Sequence, residues 1–209
     1  MLASPSPPVD LDEPPTRRIV DVALRLAEDG GFAAVRLRDV AQEAGVALRT
    51  LYKRFPGKDD LVFAVLTREL VRLEEGFHRR PPTGRSPVAR VRASFQAITD
   101  FLCGRPNLGR AIVRAVAGNA SDLSRQMSTF HDRIDALIVG AIVGRSAPLP
   151  AEPDHPHHRL AAVLQHVWFS MLVGWANGLH SPAQIVDAVV DAAALVLDPP
   201  SRPASPAIE

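Results

Sequence analysis

Apolar residues recur along this chain at three- and four-residue spacings, the period of helices with one buried face, and no segment alternates as a strand does. Ile19, Val22, Ala23, Leu26 and Ala27 mark a first helix from Thr16 to Asp29, ended by Gly30-Gly31. Leu37, Val40, Ala41 and Ala44 mark a second, which stops at Gly45. A third runs from Leu48 to Phe55 and is broken by Pro56-Gly57; a fourth, from Asp59 to Gly76, carries Leu61, Val65, Leu66, Leu70 and Leu73 on one face. Ser86 and Pro87 supply an N-cap and a first-turn proline for a fifth helix beginning near Val88, with Val91, Phe95, Ile98 and Leu102 inward. Further helices are expected over Asn107–Ala117, Asp122–Val143, His157–Leu179 and, after Ser181-Pro182, as far as Leu197. The expected fold is all-α with about nine helices. The Pro/Ser-rich ends, residues 1–14 and 199–209, are expected to be disordered arms, and Gly144–Pro156 a proline-rich loop.

The segment VRLRDVAQEAGVALRTLYKRFPGKDDL, Val35 to Leu61, carries the chemistry. Glycine adopts positive φ cheaply, so Gly45 ends one short helix and turns the chain sharply into the next. Leu51 and Phe55 lie one turn apart and can pack on Val40 and Val46, leaving Arg49, Thr50 and Lys53 pointing away. A short helix presenting basic and hydroxyl side chains suits the DNA major groove, where arginine reads guanine bidentately and threonine meets a base edge or a thymine methyl. Lys58 opens the fourth helix, whose N-terminal N–H groups favour a phosphate.

AGVALRTLYKRFPGKDDL resembles the turn, recognition helix and following helix of the TetR family of bacterial transcriptional regulators. The resemblance implies a helix-turn-helix DNA-binding domain over residues 15–60 and a helical regulatory and dimerisation domain over 61–198. It implies phosphate contacts from Arg38, Tyr52 and Lys58, and base-edge or groove contacts from Leu48, Arg49, Thr50, Lys53 and Arg54. Periodicity alone puts Leu48 and Tyr52 in one stripe with Leu51 and Phe55; the resemblance turns them toward DNA. Two positions depart from the family pattern. Ala47 and Arg36 stand where hydroxyl N-caps are usual, a loss of about 1 kcal/mol per cap, and Arg36 adds a phosphate contact instead.

Charge sharpens this reading. The chain has a net charge of only +1, but Thr16 to Lys58 holds nine Lys/Arg against five Asp/Glu, so a basic headpiece precedes a mildly acidic remainder. The single cysteine, Cys103, forms no internal disulfide and is read as a buried structural thiol, consistent with a cytoplasmic protein. No signal peptide is expected, because the first 15 residues are proline-rich and include Asp10, Asp12 and Glu13, and no membrane span, because Leu160 to Leu179, the most apolar run, is interrupted by Gln165, His166 and Asn177.

The apolar body is expected to dimerise and to bind an effector. Ile185, Val189, Ala193 and Leu197 form a stripe that could pair with a symmetry mate in a four-helix bundle, setting two recognition helices roughly 34 Å apart on a near-palindromic operator in double-stranded DNA. Phe63, Phe95, Phe101, Phe130, Trp168, Met171 and Trp175 are candidates for lining a hydrophobic pocket. The run from Val167 to Trp175, followed by a Ser-Pro-initiated last helix, resembles the family's regulators of sterol and lipid catabolism, which implies a lipid-derived or acyl-CoA effector. Arg110 and Arg114, four apart on the sixth helix, could meet an anionic ligand or form a solvated face. His155, His157 and His158 lack metal-site spacing and are read as solvated. No cofactor is expected, and without a nucleophile–base pair or a phosphate loop an enzyme or lipid carrier is a remote alternative. An activator or a ligand-independent regulator is the nearer one.

Overall fold

A computed structural model describes residues 10–11, 13–117, 124–144 and 155–199, with the side chains of 124–127 excepted. Among these residues every regular element is a helix: α1 (Pro14–Ala34), α2 (Leu37–Glu43), α3 (Leu48–Arg54), α4 (Lys58–Arg79), α5 (Pro87–Cys103), α6 (Pro106–Ala117), α7 (Ser124–Val143), α8 (Pro156–Ala176) and α9 (Pro182–Leu197). The helices cluster in two units. One is built from residues up to 76 and from 101–130, the other from 77–100 and from 131 onward. The expected division after residue 60 falls inside α4, which continues without a break because Leu61, Val62, Val65, Leu66, Leu70 and Leu73 keep one face buried throughout. Nearly all of both expected arms and most of the Gly144–Pro156 loop lie outside the described residues; Pro14 and Pro156 already belong to helices.

In the first unit α1 packs along α6, and α2 packs on both α1 and α3. Ile19, Val20, Ala23 and Ala27 form the buried stripe of α1. The helix breaks where the glycine pair stands: Gly31 takes φ +65, and a single further turn runs to Ala34. Asn107, near the start of α6, holds that end, donating from Nδ2 to the carbonyls of Glu28 (3.0 Å) and Asp29 (3.1 Å).

In the second unit Ser86 caps α5, its Oγ accepting from Ala89 N at 3.1 Å, and α8 packs against α9. Ser181 and Gln184 form a reciprocal capping box at the start of α9. The core is anchored by Trp168, tilted against Phe95 at 6.2 Å and donating from Nε1 to Thr99 Oγ1 at 3.0 Å. Thr99 is fully buried, so Trp168→Phe strands its hydroxyl. We expect a loss of about 1–3 kcal/mol in chemical denaturation, which a Trp168→Phe/Thr99→Val pair largely restores.

This packing corrects the expected dimer stripe. Ile185, Val189 and Ala193 are each 0% exposed in a single chain. A side chain with no accessible surface has nothing left for a partner, so these three form an intramolecular seam, while Leu197, the last of the stripe, is half-buried. The apolar surface that α8 and α9 leave open is different: Val163, Leu195 and Val196 are exposed. Cys103 is half-buried rather than buried. The histidines at the start of α8 are not simply solvated. His155 Nδ1 accepts from His157 N at 3.2 Å and so caps the helix, while His158 pairs with Asp135 of α7.

Candidate nucleic-acid interface

The turn between α2 and α3 is built by backbone. Gly45 has φ +65, Ala44 N donates to Val40 O at 2.9 Å and Val46 N to Ala41 O at 3.0 Å. Neither Arg36 nor Ala47 caps its helix through a side chain. Tertiary packing holds the pair instead: Val40, Ala41 and Leu51 are buried, and Phe55 closes the end of α3 at 2% exposure. Arg18 adds a staple, its Nε donating to the Ala44 carbonyl at 3.2 Å.

That core decides which residues face outward. Arg49 and Lys53 are exposed on α3, Leu48 and Thr50 are half-buried, and Arg36 and Arg38 are exposed on and beside α2. Tyr52 is 47% exposed, so it lies outside the buried stripe in which periodicity alone puts it. Leu51 and Phe55 occupy the centre of the buried face, and Leu48 and Tyr52 lie on its flank, one turn away.

Arg54 has other partners. It grips Glu13 with both terminal nitrogens, Nη2 reaching Oε1 at 2.7 Å, and donates to Thr16 Oγ1 at 2.7 Å. The hydrogen bond from Arg54 holds the Glu13 carboxyl below the usual carboxylate range. This pair straps the end of α3 to the start of α1 and takes Arg54 out of the outward-facing set. Lys58 is half-buried, with Nζ 4.1 Å from the Phe32 ring centroid, and burial is the main cause that lowers its pKa. Asp60 Oδ2 accepts from Gly57 N at 2.8 Å and shapes the turn before α4.

Behind this surface lies a buried carboxylate. Glu69 is 1% exposed on α4, with Arg72 Nη1 2.5 Å from Oε1 and Arg105 Nη1 2.7 Å from Oε2. Arg105 also reaches Glu28 of α1 at 3.0 Å and stacks on Phe101 at 4.5 Å. The burial of Glu69 was readable, since it falls four residues after Val65 and four before Leu73, in the core register of its helix, but its arginine partners were not.

The candidate pocket residues are divided between the two units. Phe101 lies under Arg105, and Phe130 meets Phe63 edge-on at 6.2 Å; both belong to the first unit. Phe95, Trp168, Met171 and Trp175 belong to the second, where Met171 is half-buried and the other three are buried. Among the described residues no helix is long and apolar enough to cross a membrane, and no metal-binding group of His, Cys, Asp and Glu occurs.

A glycine-turned helix pair with a basic outer face, followed by an all-helical body, defines a helix-turn-helix transcriptional regulator. Residues 19–65 match the bacterial regulatory proteins of the tetR family, and residues 84–196 match the tetracyclin repressor-like C-terminal domain. The chain belongs to the TetR family and is a DNA-binding regulator. It is 31% identical over 186 residues to the HTH-type transcriptional repressor KstR of Rhodococcus jostii, covering 89% of this chain and 84% of that protein. Its fold is similar to a TetR transcriptional regulator from Rhodococcus sp. RHA1 (TM-score 0.76, 24% identity, 90% of this chain and 98% of that one). It is also similar to Thermus thermophilus FadR in complex with lauroyl-CoA (TM-score 0.67, 19% identity, 92% and 98%).

Proposed function

We propose that this protein is a cytoplasmic, dimeric repressor that a small hydrophobic effector releases from a near-palindromic operator, and that it has no catalytic activity. The exposed recognition helix carries the reading: α3 leaves Arg49, Tyr52 and Lys53 exposed and without an ion pair among the described residues, while Leu51 and Phe55 fix its orientation. Arg49 and Thr50 read base edges, with Leu48 and Lys53 in the groove. Arg36, Arg38, Tyr52 and Lys58 hold phosphates. Residues 15–60 act as the DNA-binding domain and 61–198 as the regulatory and dimerisation domain.

The repressor named among its relatives supports repression, and the lauroyl-CoA complex of a structural relative supports an acyl-CoA effector. Such an effector acts by binding the DNA-free state more tightly than the DNA-bound state. Dimerisation uses the outer faces of α8 and α9, where Val163, Leu195 and Val196 are exposed, rather than the stripe at Ile185.

An electrophoretic shift on the DNA upstream of its own coding sequence tests the reading. The protein should retard that fragment at low salt, and lauroyl-CoA should release it; failure to bind any promoter-proximal fragment would sink the proposal. Arg49→Ala should lower affinity for the operator by about 10- to 100-fold, the worth of a bidentate base contact, with little change on random DNA. Tyr52→Phe should weaken both alike. The opposite pattern would reverse the two assignments.

A further inference from the structure

The cations of the first unit divide by their partners. Arg25, Arg54, Arg68, Arg72 and Arg105 each meet a carboxylate, and Arg18 donates to a carbonyl. Arg17, Arg36, Arg38, Arg49, Lys53 and Lys58 form no ion pair among the described residues, and all six lie between residues 17 and 58, the segment proposed to face DNA. Arg114, exposed on α6, shares this condition.

Arg114 shares a ring with Lys58. Its guanidinium carbon lies 4.9 Å from the Phe32 centroid, the same ring that carries Lys58 Nζ at 4.1 Å. Phe32 reaches this position because Gly31, at φ +65, turns the chain just before it. After burial, the charge of Arg114 is the largest cause that lowers the Lys58 pKa; Arg36 adds to it, and Asp59 opposes both. Asp59 makes no ion pair with any of the three cations. Packing thus holds like charges together. Attraction to an aromatic face offsets about 0.5–1 kcal/mol of that at an exposed site, and an anion would offset more.

We propose that Arg114 is a DNA-backbone contact: with Lys58 it forms a phosphate site on the Phe32 ring. The site rests on the DNA-binding reading above and extends it to a helix outside the helix-turn-helix. A phosphate contact adds affinity and no sequence preference.

The test is the salt dependence of binding to a fluorescent duplex of random sequence, read by anisotropy. Each phosphate contact contributes about 0.9 to the slope of log K against log salt, so Arg114→Gln in a dimer should flatten it by about 1.8. Arg114→Lys should keep most of the slope. Arg92→Gln should leave it unchanged, because it removes the same charge from an exposed pair with Asp187 in the other unit. Thermal midpoints should stay level across the series. An unaltered slope for Arg114→Gln, or a lost slope that tracks a lowered midpoint and that lysine does not rescue, overturns the site while leaving DNA binding intact. Failure of the unsubstituted protein to bind the duplex at the lowest salt overturns the DNA-binding reading itself.

Discussion

Arg105→Ala is expected to destabilise the protein by about 3 kcal/mol, far beyond what a half-exposed arginine ordinarily contributes. The cost arises at Glu69. That carboxylate is 1% exposed and depends on two guanidinium groups, with Arg72 on one oxygen and Arg105 on the other. The Arg105 contact is an ion pair rather than a well-aligned hydrogen bond, so its worth is electrostatic. Removing it leaves a buried charge half-compensated, and Arg72, itself 53% exposed, cannot serve both oxygens. Glu28→Gln, which removes only the outer carboxylate of the same arginine, should cost at most about 1 kcal/mol. Replacing both partners, as Glu69→Leu with Arg105→Met, should recover most of the loss, because well-packed apolar pairs often match buried ion pairs in stability. Chemical denaturation of the set decides the matter. Equal losses for Arg105→Ala and Glu28→Gln would refute the assignment to Glu69.

A second large effect is expected at the open faces of α8 and α9. Leu195→Glu with Val196→Glu should convert a dimer to a monomer in analytical ultracentrifugation. Leu195 is 71% exposed and Val196 61%, so neither glutamate disturbs the protomer core. The loss should propagate to DNA. Two headpieces held together bind as one bivalent unit, and avidity of this kind is worth about 100- to 10,000-fold. The double variant should therefore fall at least about 100-fold in operator affinity with unchanged helical content. Ile185→Ala makes the contrast: as a buried residue it should cost about 2–5 kcal/mol of stability while the folded fraction remains dimeric. A dimer that survives both glutamates would place the interface elsewhere.

The DNA-reading half of the chain was legible because its signals are local. Gly45, Pro56 and the spacing of Val40, Leu51 and Phe55 lie within one short stretch and fix two helices and a turn. Helix starts with capping chemistry, at Ser86 and Ser181, were legible for the same reason. What failed was the use made of each apolar stripe. Ile185, Val189 and Ala193 signal a buried face, and periodicity cannot say whether the same chain or a second copy buries it. The aromatic residues show the same limit, since hydrophobicity does not tell that Phe130 meets Phe63 while Phe95 meets Trp168. Long-range ion pairs were invisible. Nothing near Arg54 in sequence announces Glu13, and nothing near Arg105 announces Glu69, because each pairing spans tens of residues.

The amide of Asn107 has a thermodynamic consequence. Its two hydrogen bonds to the end of α1 lie in the exposed range, where each is worth about 0.5–1.5 kcal/mol net. Together they come to about 1–3 kcal/mol, the same span as the coupling free energies by which one ligand alters the affinity of another. This link adds to the packing of α1 along α6 and to the Arg105–Glu28 ion pair. It is also weak enough that the binding of a single hydrophobic molecule could reverse it.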